Sequence, residues 1–247
     1  MAVRKLLRSI GPVRALYDEV LTLRKLLRRR IHSSPQVEKD VIESFHRLYY
    51  DAHLFGRAWV NTSWLGVPAL KCPLDLWVYQ EIIYELKPDV IIESGTAGGG
   101  SAFFLATICD LVGHGKIITI DIEDKEGRPE HERITYLLGS STSEAIVEKV
   151  RSLIREDEEI MVILDSDHSK GHVLNELRMY SSFVTKGNYL IVEDSNLNGY
   201  PVVPDFGPGP MEAIEDFLQE NKDFVVDGDK EHHYLTFNPR GYLRKVA

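Results

Sequence analysis

Apolar and polar positions follow two periods along this chain, and the switches between them lay out its elements. Short apolar runs bounded by glycine, proline or charge occur at 90–92, 117–121, 134–138, 159–164 and 188–192. They are rich in β-branched residues and barely alternate, the pattern of strands covered on both faces. Between them apolar residues recur at helical spacing over 74–86, 101–112, 143–155, 168–184 and 211–221. Two further apolar runs, 224–226 and 234–237, predict a closing antiparallel pair. This alternation predicts an α/β fold: a doubly wound, mostly parallel, seven-stranded sheet. Upstream, Val37, Val41, Ile42, Phe45, Leu48 and Tyr49 predict a helix over 35–50. Leu6, Leu7, Ile10, Val13, Leu16, Val20, Leu23, Leu26 and Leu27 predict one or two amphipathic helices over 1–31, broken near Gly11-Pro12. The chain therefore reads as a helical arm, 1–50, and a main domain, 51–247. Residues 51–73 and 195–210 follow neither period. The first of these holds Trp59 and Trp64, and long aromatic loops commonly form lids or binding walls, or else cap a core.

Charge divides the same way. Residues 1–31 carry nine Lys and Arg against Asp18 and Glu19, a net of +7, which leaves −16 for the rest of a chain at −9. An acidic body argues against nucleic-acid binding by the main domain. The basic arm, ending in Arg28-Arg29-Arg30, has two uses: contact with an anionic membrane surface, or assembly of copies into a homo-oligomer with a solvated basic face. With 247 residues and 43% hydrophobic content there is material for one α/β domain with an appendage. Two cysteines, Cys72 and Cys109, give neither zinc spacing nor a disulfide framework, so a reducing cytoplasm is expected. No apolar run reaches 18 residues, and the arginine-broken start does not read as a signal peptide.

The first strand of the main domain runs into a glycine-rich turn, Glu93-Ser94-Gly95-Thr96-Ala97-Gly98-Gly99-Gly100-Ser101. Open α/β sheets bind ligands here, outside the carboxyl ends of their strands. The turn lacks the G-x-G-x-x-G of a dinucleotide fold and has a carboxylate at its mouth. A carboxylate suits a cationic amino acid better than a pyrophosphate, and S-adenosylmethionine carries an ammonium and a sulfonium. Asp121 closes the next strand, 28 residues beyond Glu93, where an acid can bind a ribose diol. The pair resembles a class I, Rossmann-like methyltransferase. Ser140, in the small-residue run after the third strand, is placed to flank an adenine.

The next two strands both end in acids: Asp165, with Asp167 and His168 just beyond, and Glu193-Asp194. Parallel topology brings both ends to one edge. Asp165, Glu193 and Asp194 would offer three hard oxygen ligands, a set suited to Mg2+. The alternative is that these acids are separate, with Asp165 or Asp167 capping the following helix. His168 is a candidate general base and Asp167 the competing one; His172 lies one helical turn later as a supporting partner.

Four runs, SWLGVPALKCPLDLWVYQEII, VIIESGTAGGGSA, LDSDHSKGHVLNEL and YLIVEDSN, together resemble the cephalosporin hydroxylase family. That family is similar to metal-dependent O-methyltransferases of rhamnosyl and macrolide sugars. The resemblance covers about residues 50–240 and leaves the arm outside. It implies S-adenosylmethionine at the Glu93 turn and Asp121, with Mg2+ at Asp165, Glu193 and Asp194 and His168 as base; the cofactor site is expected to comprise Glu93, Gly95, Ser101, Asp121, Ser140 and Asp165. An iron oxygenase would want two histidines and a carboxylate, whereas the best ligands here are carboxylates. The expected activity is therefore methyl transfer to a hydroxyl of a sugar or glycosylated small molecule. A nicotinamide-dependent oxidoreductase and a non-catalytic binding protein are the alternatives.

Overall fold

The computed structural model describes residues 11–32 and 34–247. The chain divides into two compact units, Met1–Phe45 and His46–Ala247. In the first unit a helix spans Gly11–His32. Leu16, Val20, Leu23 and Leu27, spaced four, three and four apart, are all exposed on it. The part of the predicted arm over residues 1–10 lies outside the described residues. A second helix, Pro35–Asp51, begins in this unit and ends in the other. The boundary falls before residue 50 because the last turns of that helix pack on the larger unit. His46 stacks on Phe237 with ring centroids 5.8 Å apart, and Tyr49 and Tyr50 meet the same ring edge-on.

The stretch 51–73 folds into two short 3-10 turns and a small hairpin, β1 (Ser63–Trp64) and β2 (Val67–Pro68). The sheet proper follows: β3 (Val90–Ser94), β4 (Lys116–Asp121), β5 (Ile134–Leu138), β6 (Ile160–Leu164), β7 (Tyr189–Val192), β8 (Phe224–Val226) and β9 (Tyr242–Lys245). Its order is β5-β4-β3-β6-β7-β9-β8, parallel through β7, with β9 antiparallel to both neighbours.

Period-two alternation divides the strand residues between two cores. Ile92, Ile118, Ile120, Val162, Leu164 and Val192 face one way, with Val147, Val173 and Phe217 of the helices Glu144–Ser152, Lys170–Tyr180 and Pro210–Glu220. Ile91, Ile117, Met161, Ile163 and Ile191 face the other, with residues of the helices Pro73–Leu86 and Gly100–Val112. Each fully buried aliphatic side chain contributes roughly 1.5–3 kcal/mol. Among the described residues no helix is long and apolar enough to cross a membrane.

One predicted strand is corrected. Residues 234–237 form no strand; β9 is Tyr242–Lys245 instead. The carboxylate of buried Asp75 accepts from the Thr236 hydroxyl, the Phe237 N–H at 2.8 Å and the Tyr242 hydroxyl at 2.8 Å. A ladder donor of the expected strand is therefore spent on a side chain.

Strand register levels the carboxyl edge. Ser94 is opposite both Ile120 and Leu164, and Leu164 is opposite Val192. The strand order reverses between β3 and β6, the switch point where open α/β sheets bind ligands.

Candidate active site

A cavity of about 510 Å³ opens at that switch point. Of the residues singled out from sequence, Gly95, Asp121, Ser140, Asp165, Asp167, His168, His172 and Asp194 line it. Glu93, Ser101 and Glu193 do not; they are buried beside it. Trp59 and Leu70 of the loop after the second helix form part of the wall. Trp64 has the other use expected of such a loop. It packs edge-on against Phe104 and donates to the Thr107 hydroxyl at 2.7 Å.

Gly95 has φ +89°, and a Cβ there would stand 1.6 Å from the Asp165 carbonyl oxygen. The glycine thus allows the turn after β3 to close on the end of β6. Glu93 has the strand parity of Ile91, so its side chain enters the interior instead of the cavity. One oxygen, Oε2, accepts from the Thr119 hydroxyl at 2.7 Å. The other, Oε1, is buried with no hydrogen-bond partner among the described residues. Burial raises the Glu93 pKa, against the opposing effects of the Lys71 charge and the nearby Ser101 and Thr119 hydroxyls.

Asp121 ends β4 with both oxygens engaged by backbone N–H groups. Oδ2 accepts from the Ala97 N–H at 2.7 Å, and Oδ1 from the Glu123 N–H at 2.9 Å. Arg128 lies 3.3 Å from Oδ2 and donates to the Ala97 and Glu123 carbonyls, which ties the glycine turn to the loop after β4. Arg128 was not singled out from sequence, because the charged stretch 123–132 reads as a solvated loop. Ser140 pairs with Thr142, and Ser141 with His172 at 3.2 Å. His172 also meets Ser166 at 3.1 Å and Glu176 at 3.5 Å, and the Glu176 partner raises its pKa.

At the ends of β6 and β7, one ligand atom each from Asp165, His168 and Asp194 lie within 4.8 Å of one another. His168 Nε2 is 3.2 Å from Asp194 Oδ2 and 4.0 Å from Asp165 Oδ1. Asp194 sits at φ 53°, a left-handed conformation that aspartate tolerates better than most residues. Its N–H is held by Asn238 Oδ1 at 3.2 Å. Asp167 instead accepts from the Ser169 N–H at 2.7 Å, and the Ser169 side chain first, then that N–H, lower its pKa. The two candidate bases thus differ in setting: Asp167 turns back on Ser169, and His168 faces Asp194.

Glu193 does not join this trio. Its Oε1 accepts from Lys71 Nζ at 2.6 Å and from the Tyr79 hydroxyl at 2.9 Å. Lys71 Nζ also makes a short contact to Asp165 Oδ2. Lys71 is therefore a buried cation between two of the three acids read as ligands. Burial raises the pKa of Asp165, Glu193 and Asp194, while Lys71 opposes the rise in all three. The sequence held a signal for Lys71, the run Ala69-Leu70-Lys71-Cys72-Pro73. A lysine in a loop otherwise rich in apolar residues reads as surface until its partners are known.

A seven-stranded sheet with one antiparallel strand inserted near its edge, a glycine turn after β3 and an acid ending β4 define a class I methyltransferase fold. The chain belongs to the Rhamnosyl O-methyltransferase/CmcI family, whose model matches residues 56–246. It is 40% identical over 210 residues to the rhamnosyl O-methyltransferase of Mycobacterium tuberculosis (strain ATCC 25618 / H37Rv), covering 82% of this chain and 84% of that protein. Identity to the rhamnosyl O-methyltransferase of Mycobacterium leprae (strain TN) is 41% over 210 residues, covering 83% and 90%. Among solved structures, the CmcI-N160 apo-structure is similar in fold, with TM-score 0.61 and 24% identity over 76% of this chain and 77% of that one. The four motifs pointed to this family, and the oxidoreductase alternative falls with the assignment.

Proposed function

We propose that this O-methyltransferase moves the methyl group of S-adenosylmethionine to a hydroxyl of a sugar or glycosylated small molecule, with Mg2+ at the acidic edge. The observation that carries the reading is the meeting of Asp165, His168 and Asp194 on one cavity whose other wall is Gly95, Asp121 and Ser140. The residues fit both groups. Asp165, Glu193 and Asp194 against Lys71 leave a local charge of −2 with neutral histidine, which one divalent ion balances. Asp121 and Ser140, hydrogen-bonding groups on the cavity wall beside the glycine turn, suit the cofactor.

In this reading the turn at Gly95 and the carboxylate of Asp121 hold the cofactor, with Ser140 beside its base. Asp165 and Asp194 offer oxygens to the cation, and Glu193 backs them from the core side. When bound, the cation lowers the pKa of a hydroxyl it holds, and the sulfonium supplies an electrophilic methyl group. His168 would take the hydroxyl proton as the acceptor oxygen attacks the methyl carbon and the carbon–sulfur bond breaks, with S-adenosylhomocysteine as the leaving group. Asp194, 3.2 Å away, orients the imidazole and stabilises its charged form. Catalysis then rests on orientation and on charge already in place. Relatives named for rhamnosyl methylation support the sugar class. The test is release of S-adenosylhomocysteine over a set of rhamnosides, other glycosides and catechols, in Mg2+ and in EDTA. Turnover of catechols with every glycoside inert would refute the sugar reading, and full turnover by metal-free enzyme in EDTA would refute the metal.

A further inference from the structure

Lys71 is the one feature of the acidic edge that the proposed chemistry does not use. It is 4% exposed, and a lysine so deep costs several kcal/mol in desolvation unless its charge is matched. The match is close: Glu193 Oε1 at 2.6 Å on one side and Asp165 Oδ2 on the other. The division of Asp165 between its surroundings is informative. Oδ2 meets Lys71 on the core side, while Oδ1 is the oxygen nearer His168, at 4.0 Å. The ammonium thus takes Asp165 Oδ2 and leaves Oδ1 on the His168 side. Tyr79 completes the arrangement from the same side, donating to Glu193 at 2.9 Å and accepting from Asn238 at 2.9 Å.

Three carboxylates converging at one edge repel one another, and in a low-dielectric setting that repulsion is large. Lys71 cancels one of the three charges. We propose that the Lys71 ammonium is a resident counter-cation of the metal site, holding Asp165 and Glu193 together before a divalent ion arrives and setting the charge that the ion must balance. This rests on the reading that Mg2+ binds at Asp165 and Asp194. Lys71 is a positioning residue, and it acts on the ligands instead of on the substrate.

The consequence is a specific link between Lys71 and metal. Without the ammonium the site carries −3, so the metal-free protein is strained and a divalent ion is held more tightly. Lys71→Met keeps the stem's bulk and removes the charge. Thermal melts of wild type and Lys71→Met, each in EDTA and in excess Mg2+, read the effect without turnover. The variant is expected to melt well below wild type in EDTA and to recover most of the difference in Mg2+. Calorimetry is expected to show Mg2+ binding roughly tenfold tighter or more, as loss of a neighbouring positive charge implies. If the single variant does not fold in EDTA, the double variant Lys71→Met/Glu193→Gln, which restores −2, is expected to fold and to show a Mg2+ shift near that of wild type. Equal destabilisation in EDTA and Mg2+, weaker Mg2+ binding, or a double variant no more stable than the single one would each overturn the proposal. A wild-type protein that neither binds Mg2+ nor gains stability from it would instead remove the metal reading beneath it.

Discussion

Gly95→Ala should damage this protein far more than its chemistry suggests. The new methyl group would stand 1.6 Å from the Asp165 carbonyl oxygen and 2.5 Å from its carbon. Ordinary contact begins near 3.4 Å, so the turn must withdraw by nearly 2 Å from a strand to which it is bonded. That bond is the Asp165 N–H to the Ser94 carbonyl, 3.0 Å long. A left-handed φ of +89° adds a cost of roughly 1–2 kcal/mol for a residue with a Cβ. Over-packing adds about 1–3 kcal/mol. The sum, on the order of 2–5 kcal/mol, lowers the melting temperature by roughly 4–20 °C for a domain of this size. Gly98→Ala is the matched control, because a Cβ there meets nothing within 4 Å. Thermal denaturation of the two variants side by side is the assay. Because Gly95 presses on the residue that bears a candidate ligand, Gly95→Ala is also expected to weaken Mg2+ binding where Gly98→Ala does not. Two variants melting within 2 °C of each other would refute the close-approach reasoning at this turn.

Three other outcomes are expected. His168→Ala should lower kcat by about 10²–10⁴-fold while cofactor and Mg2+ affinity hold, measured by calorimetry beside turnover; lost Mg2+ binding would make His168 a ligand and not the base. Burial pushes the Asp75 pKa from 3.8 up to about 6, so the folded protein keeps a proton there that the unfolded chain gives up near pH 4. Its contribution is present below pH 4, shrinks between pH 4 and 6 and is gone above, a change on the order of 3 kcal/mol. The stability difference between wild type and Asp75→Asn, from urea melts at pH 4, 5 and 6, should follow that slope, and a flat difference would remove Asp75 as its source. Finally, the exposed stripe Leu16, Val20, Leu23 and Leu27 predicts that deleting residues 1–31 reduces the size of the particle seen by light scattering. Unchanged size with lost sedimentation on anionic vesicles at low salt would make the arm a membrane contact instead.

The sheet was legible because its strands are buried on both faces. Val90-Ile91-Ile92, 160–164 and 189–192 are apolar without alternation, and 117–121 nearly so. The last strand was not legible, since Tyr242–Lys245 carries Arg244 and Lys245 and scores poorly against the Tyr-Leu-Thr-Phe run before it. What decided between them was a buried side chain from 161 residues before Thr236, Asp75, capturing Thr236 and Phe237. Pattern along a chain carries no record of such a capture. The acids at the strand ends were legible as a group, because parallel register brings them level. Their division was not. Glu193 and Asp194 are adjacent in sequence, yet one meets Lys71 and Tyr79 in the interior and the other meets His168 at the cavity. The direction of Glu93 was not legible either: strand parity sends its side chain to the face of Ile91, under the turn.

The insertion of β9 between β7 and β8 bears on the order of events during synthesis. β8 is made first, yet its hydrogen bonds in the sheet go to β9. Until β9 has left the ribosome, β7 is an open edge and β8 has no place to dock. The segment that leads into β9 supplies Asn238, which holds both the Asp194 backbone and Tyr79. Closure of the sheet and the fastening of Asp194 at the acidic edge are thus one step, so a chain can bury much of its core before that edge is held in place.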